Sequence, residues 1–131
     1  MQRPPSPTPP PHRPQTTGLE PNIAALLSYL VLVPPITAVI FLLIEKEDRF
    51  VRFHALQGAI FGTVCFVAVM ALRLIGTTLG EMIHPLGVII SFLVAAIGAG
   101  IFFLWILLLI KAYQGQAFKL PVIGDEAARR V

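Results

Sequence analysis

Leu86 to Ile110 is a run of 25 residues without a charged side chain. As a helix it is about 38 Å long, more than the ~30 Å hydrocarbon layer of a bilayer. Where lipid replaces water, backbone N–H and C=O groups must be satisfied within the segment, which makes it helical. Composition points the same way: 13% of the residues are charged and 56% apolar, and the mean hydropathy is +0.79. Soluble domains carry roughly 25% charged residues. The sequence therefore describes an all-α, polytopic integral membrane protein whose first partner is the lipid bilayer.

Two further stretches reach spanning length. Asn22 to Ile44 follows a helix-start signal, Pro21-Asn22, and is interrupted by Pro34-Pro35. Each proline removes a backbone donor, so a kinked span is expected. The alternative is two short halves that re-enter on the same side. The second stretch, Phe53 to Ile75, carries Arg73 in its last turn, where the stem of an arginine can snorkel to the headgroups. A turn from Gly76 to His84-Pro85 leads into the third. Trp105, Lys111 and Tyr113 read as its interfacial anchor.

The predicted organisation is a tail over 1–21, a membrane domain over 22–126 with spans at 22–44, 53–75 and 86–110, and a short tail over 127–131. Most of the chain's twelve prolines lie in the first tail, which reads as disordered and polyproline-leaning. It has no signal peptide pattern. With three spans, the first loop and the C-terminal segment share a face, and that face holds Lys46, Arg49, Arg52, Lys111, Lys119, Arg129 and Arg130. The positive-inside rule makes it cytoplasmic in a cell (inner or plasma) membrane, with the N-terminus outside.

Polar residues gather where the first loop meets the second span. His54 and Gln57, three apart, share a helix face beside Arg52, and Gly58 opens that face to a neighbour. The plain reading is a polar clasp between helices; a titrating or transport role is the sharper one. Small residues mark two candidate contact stripes, Gly58/Gly62 and Gly87/Ser91/Ala95/Ala99. The Glu45, Glu47 and Asp48 cluster reads as a solvated loop.

No catalytic constellation, metal-ligand spacing or cofactor motif is present, so the expectation is a non-enzyme without cofactor or metal. Cys65 is a small packing residue and cannot form an internal disulfide. The cations form no tract for nucleic acid.

Three stretches together resemble the Tic20-like group of small bacterial membrane proteins, including the DUF4870 and UPF0132 proteins. They are Asn22-Ile23-Ala24-Ala25-Leu26-Leu27-Ser28-Tyr29-Leu30, Phe50-Val51-Arg52-Phe53-His54-Ala55-Leu56-Gln57, and Lys111-Ala112-Tyr113-Gln114-Gly115-Gln116 with Leu120-Pro121-Val122-Ile123-Gly124-Asp125. The resemblance covers about residues 22–126. It implies a component or accessory subunit of a membrane complex, with protein translocation as one possible task, that associates with other membrane subunits or with itself. The plastid relatives have four spans where three are expected here. A small homo-oligomeric transporter or channel is the competing expectation.

Overall fold

The computed structural model describes residues 16–31 and 34–131. Of the tail over 1–21 that was expected to be disordered, residues 1–15 lie outside the described residues. Five helices follow in order: α1 Pro21–Ser28, α2 Ile36–Ile44, α3 Arg49–Met82, α4 His84–Tyr113 and α5 Ile123–Arg130. No strand occurs among the described residues.

Among the described residues, only α3 and α4 are long and apolar enough to cross a membrane. The expectation of three spans is therefore corrected to two. At 8 and 9 residues, α1 and α2 are each about 12–14 Å long, less than half of a hydrocarbon layer. Pro34-Pro35 does not kink a helix here: α1 has already ended at Ser28, and Pro35 stands at the N-cap of α2. A residue before proline is pushed out of the helical region, and two in succession leave no turn to bridge the break. Thr37 closes the reversal: its hydroxyl accepts from the Val31 N–H at 3.0 Å and donates to the Ser28 carbonyl at 3.2 Å. The chain dips in and comes back.

Both ends of the dip lie together. The N–H groups of Thr16 and Thr17 donate to the Glu45 carboxylate at 3.2 Å. The described end of the tail thus shares a face with the first loop, and its expected place on the opposite face is corrected too. Two short helices in place of one span agree with the alternative that the two prolines left open.

Asp48 starts α3. Its Oδ1 accepts from the N–H groups of Phe50 and Val51 at 2.8 and 3.3 Å, an N-cap that fixes the helix register. The helix then runs through the expected turn at Gly76. Thr77 and Thr78 return their hydroxyl protons to the Leu74 carbonyl at 2.9 and 2.8 Å, so neither competes with the helix. Reversal takes one residue, Ile83, and Pro85 sits in the first turn of α4, where its missing N–H costs nothing.

The two long helices form a hairpin with a base at Arg49 and Tyr113 and a tip at Ile83. α1, α2 and α5 all pack on its base half. The core lies there as well, built from Ala25, Tyr29, Phe61, Cys65, Leu108, Ala112 and Leu120. Among the described residues, α3 has only α4 beside it towards the tip.

Candidate functional site

The N-cap sets which face of α3 turns inward, and that face carries His54, Gln57, Gly58, Phe61, Gly62 and Cys65, all buried. Their spacing of three and four is one helical stripe. The α1 pair leans on it because Gly58 has no side chain. A Cβ there would stand 3.1 Å from Cε1 of Tyr29 and 3.4 Å from Cβ of Ala38. Gly58 thus receives Tyr29 at the end of α1 and Ala38 of α2.

Tyr29 joins the stripe from α1, and the stretch after α4 closes over it. Gln57 reads that stretch as backbone: its Nε2 donates to the Phe118 carbonyl at 3.0 Å, and its Oε1 accepts from the Leu120 N–H at 3.1 Å. These two partners orient the amide. Nε2 also donates to the Tyr29 hydroxyl oxygen at 3.1 Å, which leaves the phenol proton for His54 Nδ1, 3.2 Å away. The network assigns His54 as the neutral tautomer with its proton on Nε2. That nitrogen is buried without a hydrogen-bond partner among the described residues. Phe50, Phe53 and Tyr29 stand edge-on around the ring, at centroid distances of 4.6, 5.1 and 5.7 Å. Trp105 ties α4 in through a 2.7 Å bond from its indole N–H to the Tyr29 carbonyl.

α5 sits equally close. A Cβ on Gly124 would be 2.7 Å from Gln57 Oε1 and from the Lys119 Cα, so only glycine lets α5 reach this site. Gly115, at φ 72°, makes the left-handed turn that ends α4, directly against the Asn22 side chain.

Glu45 is the functional-looking residue that sequence reasoning placed wrongly. It is fully buried rather than solvated. Its carboxylate collects the N–H groups of Thr16, Thr17, Glu47 and Asp48 and the Thr17 hydroxyl, at 3.0–3.2 Å. Burial pushes its pKa up, but the backbone donors of Asp48, Glu47, Thr16 and Thr17 outweigh that and hold it at about 2. What covers it is the tail, not the helical core. The local signal was its place three residues before an N-cap, where N–H groups at i+2 and i+3 are free. Arg52 donates to the Glu45 carbonyl at 3.3 Å, a cation at the C-terminal end of α2. Asp48 Oδ2 is buried without a partner among the described residues.

The second stripe stands apart. Gly87 meets Gly80 near the tip so closely that a Cβ would fall 2.6 Å from the Gly80 Cα. Ser91 donates to the Gly87 carbonyl at 2.8 Å, and Ser91, Ala95 and Ala99 are exposed. The structure therefore joins Arg52, His54, Gln57, Gly58 and Gly62 at the base and leaves Gly87, Ser91, Ala95 and Ala99 along the tip half. Among the described residues no group of three or more His, Cys, Asp or Glu side chains is placed to hold a metal.

The arrangement holds segments of this one chain together. Comparison with known proteins follows the same stretch. The model of the magnetosome magnetite crystal formation protein family matches residues 20–125. A UPF0132 membrane protein of Archaeoglobus fulgidus is 38% identical over 110 residues, covering 84% of this chain and 94% of the relative. Two UPF0132 membrane proteins of Methanocaldococcus jannaschii are 42% and 40% identical, over 84% and 86% of this chain and 87% and 71% of theirs. No solved structure matches.

Proposed function

The chain belongs to the UPF0132 membrane protein family, matched by the magnetosome magnetite crystal formation model, and from that premise we propose that it is a non-enzymatic subunit of a membrane protein complex. One observation carries the reading. The polar side chains of the base are spent on joining segments of this chain, Gln57 alone binding two backbone groups and a phenol. They brace a hairpin whose remaining surface is apolar and uncovered, with Phe92, Phe103, Leu74 and Ile89 each more than 60% exposed. A braced hairpin with free faces is a part to be assembled, with other membrane subunits or with a second copy. Handling of proteins, as in the Tic20-like resemblance, and the mineral-forming process named by the family model are two tasks such a subunit serves.

The base is proposed to face the cytoplasm of a cell (inner or plasma) membrane. Seven of the ten cations, Lys46, Arg49, Arg52, Lys111, Lys119, Arg129 and Arg130, lie on or beside it, as the positive-inside rule requires. The homo-oligomeric channel has less support: His54 and Gln57 turn into the fold while Arg73 opens on another part of α3.

Two measurements test this. Pull-down of the tagged chain in mild detergent, with the intact mass of what is recovered, is expected to return other membrane proteins at a fixed ratio. A pure homo-oligomer that passes ions when reconstituted overturns the reading. Cysteines placed at Thr17 and Gln116 are expected to resist an impermeant thiol reagent in intact cells together. Labelling of either one alone sinks the two-span topology, and labelling of both reverses the orientation.

A further inference from the structure

The tip half of the hairpin contains a groove of about 930 Å³, open along one side. It exists because its floor lacks side chains: Gly76, Gly80, Gly87, Ala95 and Gly98 all line it. Contacts of Gly80 with Gly87 and of Gly76 with Ile90 set the level of one helix against the other. By that register Val69 lies level with Gly98, Leu72 with Ala95 and Arg73 with Val94, and Thr77, Glu81 and His84 follow towards the tip. The groove is thus apolar at its deep end and charged at its mouth.

Arg73 and Glu81 both line it, and neither has an ion-pair partner among the described residues. The uncharged part of α3, Phe53 to Leu72, is about 30 Å long as a helix, the thickness of the hydrocarbon layer. Arg73 therefore arrives at headgroup level in the leaflet on the tip side. Glu81 lies about 12 Å further out, and the arginine stem, extending outward as such stems do at a membrane boundary, closes part of that distance. The hydroxyls of Thr77 and Ser91 spend their protons on helix carbonyls. They offer the groove acceptors only.

We propose that this groove holds one phospholipid of the phosphoethanolamine class, its phosphate on Arg73, its ammonium toward Glu81, and an acyl chain over the glycine and alanine floor. The order of charges selects the headgroup. An anionic lipid without an amine meets the Glu81 carboxylate with nothing to pair it, and a choline headgroup has no N–H for the acceptors at the mouth. The apolar end fits a chain that points toward the bilayer centre.

Native mass spectrometry of the full chain, released from nanodiscs of equimolar phosphatidylethanolamine, phosphatidylcholine and phosphatidylglycerol, tests the proposal. One phosphatidylethanolamine per chain is expected, retained at least about tenfold over either competitor. Arg73→Gln is expected to remove the retained lipid, and Glu81→Gln to equalise the three. Ala95→Leu, which leaves both charges and fills the floor, is expected to lower retention as Arg73→Gln does. The melting temperature of each variant reports that the base is still folded. Equal retention of all three lipids by the wild type marks ordinary boundary lipid and overturns the proposal. So does unchanged retention in Arg73→Gln, or a cysteine at Ala95 that cross-links two copies through the groove. None of these outcomes bears on co-purifying subunits, so failure here is distinguishable from failure of the subunit reading.

Discussion

The two halves of the hairpin are built from the same kinds of helix but held by different means. At the base, α3 and α4 are joined by α1, α2, α5 and the stretch between α4 and α5, and a buried Tyr29, His54 and Gln57 connect three of these segments by hydrogen bonds. At the tip, among the described residues, α3 and α4 have only each other, and glycine stands against glycine. In lipid there is no hydrophobic drive between helices, so each half must use one of the remaining means: polar bonds or close backbone approach. The base uses bonds and becomes a fixed platform. The tip uses contact and keeps a groove.

That contrast predicts unequal responses to mutation, largest at Gln57. Gln57→Leu fills the space but leaves the Phe118 carbonyl and the Leu120 N–H buried and unpaired, at about 1–3 kcal/mol each. A loss of about 3–5 kcal/mol in thermal or denaturant unfolding in detergent is expected, with faster proteolysis between Gln114 and Gly124. His54→Ala should also lower stability, by about 2–3 kcal/mol, while insertion into the membrane is unchanged. If neither substitution moves the unfolding midpoint, the base is not held by its polar network and the comparison fails.

Next in size is the tip. Gly87→Val places a side chain where the Gly80 Cα already stands, and overpacking of this kind costs about 1–3 kcal/mol. Its signature is local. Cross-linking between cysteines at Thr77 and Ile90 should fall, while proteolysis of the C-terminal stretch stays at the wild-type rate.

How far the sequence led differs between the same two regions. His54, Gln57 and Gly58 were legible as a clasp site because polar groups and a glycine share one face of an otherwise apolar helix. Their partner was not: Phe118 and Leu120 present backbone, which has no sequence signature, and lie more than sixty residues away. Pro34-Pro35 was read as a kink and proved to be a reversal, since its rescue depends on one hydroxyl, Thr37. At the tip, Gly76, Thr77, Thr78 and Gly80 have the composition of a turn and the structure of a helix. Threonines bonded back to Leu74 and a partner helix at contact distance override local preference. Glu45 was misplaced because charge predicts solvent only when no backbone donors surround it.

Glu45 supplies a smaller effect with a defined pH dependence. Its pKa is near 2 in the fold, below the value of an ordinary glutamate, so it adds stability at pH above the unfolded-state value. That contribution is lost as pH falls from about 4.5 toward 2. Glu45→Gln keeps one acceptor and removes the charge, and a cost of about 1–2 kcal/mol at pH 7 is expected. The variant's melting temperature should then be flatter than the wild type's between pH 5 and 3. An equally steep acid limb in the variant would assign that limb to another carboxylate.

The smallest effect is expected where the tip half begins on α4. A Cβ at Gly100 meets nothing within 4 Å, and an alanine in a helix interior is favoured over glycine by up to about 1 kcal/mol. Gly100→Ala should therefore leave stability unchanged or raise it slightly, whether the chain is dilute in detergent or crowded in a bilayer. A loss confined to the bilayer would mean that another helix approaches this face there, closely enough to need the missing side chain. The free face of the hairpin would then be the one by which the subunit assembles. A neutral result leaves that role to the faces bearing Phe92 and Phe103, and places the difference between base and tip in the single chain itself.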